Sequence, residues 1–104
     1  AEDFDRDTEG ERILVAEAGG QTAGFVSVWE PTSFIHLLFV CEDYRRRGVG
    51  RALLDAAAAT FPPPLTLKCV KANTKAAAFY RAEGWTILRE EVGEDGAYYV
   101  LRHE

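Results

Sequence analysis

The chain reads as an α/β domain built on a mixed sheet, with element order βββαβαββ. Three observations predict it. Strand-like apolar runs succeed one another up to residue 41, the first two joined by Gly19-Gly20. The apolar spacing then changes to the helical period of about 3.6 over residues 50 to 61, and returns to alternation at Leu65. A strand, a helix and a strand between residues 34 and 70 make a crossover unit, so those strands should be parallel neighbours with the helix packed across them.

Taken in order, residues 12 to 18 and 21 to 29 are β-rich runs, and two glycines between them specify a tight hairpin. After the turn Glu30-Pro31-Thr32-Ser33, the nearly continuous apolar run from Phe34 to Cys41 suits a central strand covered on both faces, interrupted only by His36. Leu53, Leu54, Ala57, Ala58 and Phe61 share one helical face, and Pro62-Pro63-Pro64 stops that helix. Leu65 to Val70 is a strand. A short helix over about Thr74 to Glu83 follows, with Asn73 at its N-cap and Gly84 past its end. Trp85 to Val92 and Ala97 to Arg102 close the fold as two strands around Gly93-Glu94-Asp95-Gly96.

With 104 residues, 47% hydrophobic and 28% charged, the chain has room for one core and no second domain. No apolar run approaches the roughly 20 residues of a membrane span, and the first residues lack the pattern of a secretory signal, so a cytoplasmic protein is expected, with no membrane partner. Cys41 and Cys69 lie in apolar runs without a CxxC or a His pair, which predicts buried reduced thiols and no metal. No repeat is present. Residues 1–11 form an acidic segment ahead of a single domain spanning 12–104; they hold six acids against one base, Arg6. Between Tyr44 and Ala82 stand eight bases and one acid, Asp55. An anionic ligand is implied there, while the overall net charge of -5 and the lack of any nucleic-acid signature argue against DNA or RNA.

The densest signal is Tyr44-Arg45-Arg46-Arg47-Gly48-Val49-Gly50-Arg51, where the central strand gives way to the first helix. A helix start carries unpaired N–H groups and a partial positive charge, and glycines let its backbone approach an oxyanion, so this loop should hold a phosphate or pyrophosphate. A solvated basic face is the alternative. Neither Gly-x-Gly-x-x-Gly nor a P-loop fits, because Leu53 stands where the third glycine would be and no Gly-Lys-Ser/Thr follows. What stands is Arg45-x-x-Gly48-x-Gly50.

That pattern resembles the coenzyme A loop of the GNAT (GCN5-related N-acetyltransferase) family, Gln/Arg-x-x-Gly-x-Gly/Ala. Asn73 followed by Ala77-Ala78-Phe79-Tyr80-Arg81-Ala82-Glu83-Gly84-Trp85 resembles the family's second segment, and the likeness covers roughly residues 12 to 102. It implies a small acetyl-CoA-dependent N-acetyltransferase of bacterial type, with no metal, moving acetyl to a small-molecule or peptide amine by direct attack. It also implies two parallel strands that splay to admit the pantetheine arm. Position by position, the backbone of Leu38, Phe39 and Val40 would pair with the arm, and the amides of Arg46, Arg47, Gly48, Val49, Gly50 and Arg51 would hold the pyrophosphate. Arg45 would order the loop or touch phosphate, Asn73 and Phe79 would line the arm, and Tyr80 would protonate the leaving thiolate. The family's first strand and two helices are missing or shortened here, which leaves a catalytically inactive coenzyme-A-binding or regulatory module as the alternative and favours a homodimer.

An alkyl amine of pKa about 10.4 is only about one part in 10³ neutral at pH 7, so a group must take its proton. Family members often use a glutamate on the central strand; His36 falls near that position, and imidazole, with an ordinary pKa of about 6.5, suits a base there. A hydrogen-bonded structural role is its alternative, as core packing is for Tyr80. The phenol is expected to donate more readily if the nearby cations lower its pKa. Arg51 is in place to pair with Asp55 at i,i+4, and His103 near the end should be solvated.

Overall fold

Gly19 and Gly20 both adopt positive φ, 59° and 80°, the combination a two-residue hairpin turn needs. They join strands β1 (Glu11–Ala18) and β2 (Gln21–Trp29), which pair antiparallel from Ala18↔Gln21 to Glu11↔Trp29. The computed structural model describes residues 10–104. The sequence expectation for the acidic segment falls outside these residues up to position 9, but Glu11 is the first residue of β1.

A 3-10 turn over Glu30–Thr32 leads into β3 (Phe34–Val40), antiparallel to β2. The strand stops one residue short of the expected Cys41, which introduces a 3-10 turn at Glu42–Tyr44. Then come helix α1 (Val49–Thr60), β4 (Leu65–Val70), helix α2 (Thr74–Ala82), and the hairpin β5 (Thr86–Gly93) and β6 (Gly96–His103). The six strands lie in the order β1-β2-β3-β4-β6-β5, and β3 with β4 is the parallel pair that the crossover predicts.

Alternation sorts the strands into two faces. Val26, Val28, Ile35, Leu65, Leu67, Cys69 and Leu101 point to one face and pack with Leu53, Leu54, Ala57 and Phe61 of the α1 region and with Trp85. Ala76, Ala77, Phe79 and Tyr80 of α2 border the same cluster, so both helices cover one side. Each large side chain fully buried there stabilises the fold by about 1.5–3 kcal/mol. Among the described residues, no helix covers the other side. There Leu37 is 51% and Phe39 42% exposed, so β3 is not covered on both faces as its apolar run suggested. The run is apolar because one face meets the helices and the other carries an uncovered apolar strip.

Candidate active site

The loop before α1 bends through two left-handed residues, Arg46 (φ 64°) and Gly48 (φ 80°), the second forming the N-cap. No acid stands in the first turn. The bond from Ala52 N–H to the Gly48 carbonyl, 2.9 Å, is the first to close in α1. The amides of Val49, Gly50 and Arg51 therefore project from the helix start, at its positive end. Arg45 Nε donates to the Val40 carbonyl at 3.4 Å and so ties the loop to the end of β3. The Arg47 guanidinium lies 5.7 Å from the Tyr44 ring centre. Arg51 pairs with Glu83 at 3.4 Å, not with Asp55. The C-terminal end of α2 packs beside the start of α1 and offers the arginine a more sheltered carboxylate than its own helix does.

Gly50 lets three elements converge. A Cβ at this position would stand 3.3 Å from Phe79 Cζ and 3.7 Å from Val40 Cγ2, so the helix start, the strand end and α2 meet where only hydrogen fits comfortably. Gly24 does the same one strand away, its absent Cβ being replaced by the Phe39 carbonyl, which would lie 2.4 Å from it.

Between β3 and β4 the pairing is short. Phe34↔Thr66 and Ile35↔Leu67 are its two pairs, and Ser33 pins that end by accepting from Thr66 N–H at 3.2 Å while its hydroxyl donates to the Pro62 carbonyl at 2.7 Å. Past Ile35 the strands part. The β4-facing backbone of Leu38, Phe39 and Val40 is thereby left available to an extended ligand chain, which can add to such an edge as a strand would.

On the helix side of the gap, the Asn73 carboxamide oxygen accepts from Ala76 N–H at 3.1 Å and caps α2. Asn73 thus sets where α2 begins. Phe79 and Tyr80 sit 5.4 Å apart, ring centre to ring centre, and Tyr80 meets Trp85 at 6.0 Å. Burial, with a smaller contribution from Cys69, pushes the Tyr80 phenol up to about 12. The nearby cations do not lower it as expected, because the ring faces the core while the arginines point to solvent. Tyr80 is a neutral hydrogen-bond donor. Cys69 is buried and burial raises its thiol; Cys41 is only half-buried, its Sγ donating to the Thr22 carbonyl at 3.3 Å.

The other predicted residue, His36, lies across the sheet. Ser27 pairs with Leu37 and Val28 with Ile35, so His36 is the extra residue of a bulge. Its Nδ1 is 2.9 Å from Glu11 Oε1, which also accepts from Ser27 Oγ at 2.6 Å. The Phe34 ring packs edge-on against the imidazole at 5.0 Å, and Lys68 Nζ lies 5.9 Å from the Phe34 ring centre and 5.2 Å from that of Tyr98. His103 is not simply solvated: it lies in β6 and stacks on Trp85 at 5.3 Å, with Nδ1 buried and unpaired. The helix face thus gathers the loop, Val40, Asn73, Phe79 and Tyr80, while His36 stands on the bare face at the first position beyond the last β3–β4 pair. Sequence reasoning missed Glu11, Ser27 and Glu83. Counting back from the Gly19-Gly20 turn puts Glu11 opposite Val28; a register shift between Ala16 and Glu17 moves it to Trp29, and neither that shift nor the bulge that brings His36 to it leaves a mark in the sequence.

The site is a parallel pair zipped at one end that opens beside an amide-rich helix start, a geometry suited to an extended anionic ligand. The family described as "Acetyltransferase (GNAT) domain" matches residues 9–87. The chain belongs to the GNAT acetyltransferase family. It is 33% identical over 89 residues to the 5-NmdU N-acetyltransferase of Pseudomonas phage PaMx11, a stretch covering 81% of this chain and 64% of that protein. It is 36% identical over 74 residues to the peptidyl-lysine N-acetyltransferase YiaC of Escherichia coli, covering 71% of this chain and 49% of the relative. The crystal structure of nourseothricin acetyltransferase superposes with a TM-score of 0.77 at 26% identity, over 89% of this chain and 64% of that one. The chain thus spans from about half to just under two thirds of the length of these relatives. Among the described residues, no helix is long and apolar enough to cross a membrane.

Proposed function

We propose that this chain transfers an acetyl group from acetyl-coenzyme A to an amine by direct attack. The observation that carries the reading is the parting of β3 and β4 after Ile35 beside the Arg45–Arg51 loop. The residues present fit the donor: the amides from Arg46 to Arg51 suit its diphosphate, and the freed edge of Leu38, Phe39 and Val40 suits its arm. Gly50 leaves room where strand end and helices meet. Bound there, the donor supplies an activated acetyl thioester.

The residues of the chain divide the rest of the work. Arg45 holds the loop against the strand end. Asn73 and Phe79 line the helix side of the gap. Tyr80, neutral at working pH, donates a hydrogen bond to the departing sulfur, which acquires its proton as the carbon–sulfur bond breaks. A thiol of pKa about 8.5 is a weaker base than tyrosinate, so full transfer from a phenol at about 12 is uphill and the role is chiefly hydrogen bonding. His36 takes the proton of the incoming ammonium on the bare face. The named activities of the relatives, on 5-NmdU and on peptidyl-lysine, support an amine as acceptor. The exposed Leu37 and Phe39 support a homodimer, which sedimentation tests; a monomer at all accessible concentrations removes it.

The deciding experiment is a thiol-release assay with acetyl-CoA across lysine peptides, aminomethyl nucleosides and small polyamines, run beside calorimetry. Turnover with at least one amine is the expected result. Tight acetyl-CoA binding without transfer would make the chain a coenzyme-binding module, and absence of binding would end both readings.

A further inference from the structure

Glu11 reaches His36 from two strands away. Its carboxylate is nearly sheltered, with 9% of the side chain exposed against 51% for His36, and one oxygen serves both Ser27 Oγ and His36 Nδ1. A carboxylate only accepts hydrogen bonds, so the proton in the 2.9 Å contact belongs to Nδ1. In the neutral imidazole this contact selects the Nδ1–H tautomer, in which Nε2 carries the lone pair. Two further contacts fix the ring's direction. The bulge places His36 on the bare face, and the edge of Phe34 packs against it at 5.0 Å. Among the described residues, the charged groups around the imidazole are Glu11 from β1 and Lys68 from β4, the latter across the Phe34 ring; β2 contributes the neutral Ser27.

We infer that Glu11, braced by Ser27, is a positioning residue that presents His36 Nε2 as the proton acceptor for the amine at the apex of the parted strands. The inference rests on the acetyl-transfer reading above. The step balances: R–NH₃⁺ gives a proton to Nε2, leaving a neutral amine and an imidazolium whose charge faces the Glu11 carboxylate. The amine nitrogen bonds to the acetyl carbon, the carbon–sulfur bond breaks, the second proton shed by that nitrogen goes to the departing thiolate to give the thiol, and the imidazolium returns its proton to solvent. The carboxylate thus does two things: it holds the lone pair outward before reaction and offsets the charge after it.

Nitrogen-15 NMR of the wild-type chain reads the tautomer directly, with no substrate present. Neutral His36 is expected as the Nδ1–H form, and in Glu11→Ala it is expected to move toward Nε2–H. With a lysine peptide as acceptor, Glu11→Ala should lower kcat about tenfold and His36→Ala about 100-fold, with KM for acetyl-CoA within about twofold of wild type. Glu11→Gln, whose amide oxygen still accepts from Nδ1, should recover part of the loss. The double variant should be no slower than His36→Ala alone. If Glu11→Ala does not fold, Ser27→Ala loosens the same carboxylate and should lower kcat in the same sense. An Nε2–H tautomer in the wild type, or a Glu11→Ala loss that persists undiminished in the His36→Ala background, overturns the inference. Absence of turnover in the wild type counts instead against acetyl transfer, and the tautomer then decides this inference by itself.

Discussion

The two faces of the sheet are made by the same strands and behave as different materials. Toward the helices, Val26, Val28 and Leu101 show no exposed surface and Leu65 and Leu67 almost none. Away from them, Leu37, Phe39 and Val70 of the neighbouring positions are each more than two-fifths exposed, interspersed with His36, Ser27, Lys68 and Tyr98. The first face holds the fold together and the second carries polar groups at the mouth of a gap. One strand register serves both, since every residue moved from one side to the other changes both the core and the site. The bulge at His36 is where the two demands are reconciled: it keeps Ile35 and Leu38 on the helix side while adding one more side chain to the bare side.

The largest expected effect breaks the comparison at its core. Leu101→Ala should cost about 2–5 kcal/mol in urea unfolding, the usual range for a leucine lost from a packed interior, whereas Leu37→Ala should stay within about 0.5 kcal/mol of wild type. Equal losses at both positions would mean that the bare face is covered in solution and that the contrast drawn between the faces is wrong.

Next in size is the pH response of Tyr80. Its phenol is raised from about 10 in an unfolded chain to about 12 by burial, so between those values the native state holds a proton that the unfolded state has released. The sign follows: the unfolded state binds fewer protons there, and stability falls as pH rises. The loss sets in near pH 10 and amounts to roughly 2 kcal/mol by pH 12. Tyr80→Phe removes this slope, and the difference between the two pH–stability curves measures it free of other titrating groups. The same variant should lower kcat about tenfold with acetyl-CoA affinity nearly unchanged, because the hydroxyl is needed when sulfur departs and not when the donor binds.

A smaller effect is expected at the convergence point. Gly50→Ala puts a methyl 3.3 Å from Phe79, and α2 must yield by a few tenths of an ångström. A stability loss of about 1 kcal/mol is expected, together with a KM for acetyl-CoA raised several-fold. Loss of stability without any change in KM would separate packing from donor binding at this residue.

Much of this arrangement was legible in the sequence. Gly19-Gly20 announced the hairpin and Asn73 the cap, because turn and cap chemistry are local. The switch in apolar period placed the crossover, and with it the parallel pair. Arg45-x-x-Gly48-x-Gly50 located the helix start. What escaped depended on partners distant in sequence. Arg51 had an obvious neighbour in Asp55, yet Glu83 outcompetes it because α2 packs beside α1. His103 read as a terminal polar residue, yet strand pairing carries it onto Trp85. The apolar run of β3 looked doubly buried because composition cannot say which face is covered. The Glu11 contact needed a bulge, and a bulge in a run of apolar residues has no composition of its own.

The smallest effect concerns the ion pair between Arg51 and Glu83, and it sharpens the division between fold and site. Arg51 is 69% exposed along its side chain and the partners stand 3.4 Å apart, so the pair contributes at most about 0.5 kcal/mol to stability. Its consequence for binding is opposite in sign for its two members. Arg51→Ala removes a cation from the helix start and should weaken acetyl-CoA binding about threefold, with a flatter salt dependence. Glu83→Gln releases the guanidinium from its carboxylate and removes a negative charge beside the proposed diphosphate site, so binding should tighten by about twofold. Calorimetry at two salt concentrations checks both, with urea unfolding as the control. If both variants weaken binding alike, Arg51 acts by bracing α1 against α2, and the anion is held by backbone amides without its help.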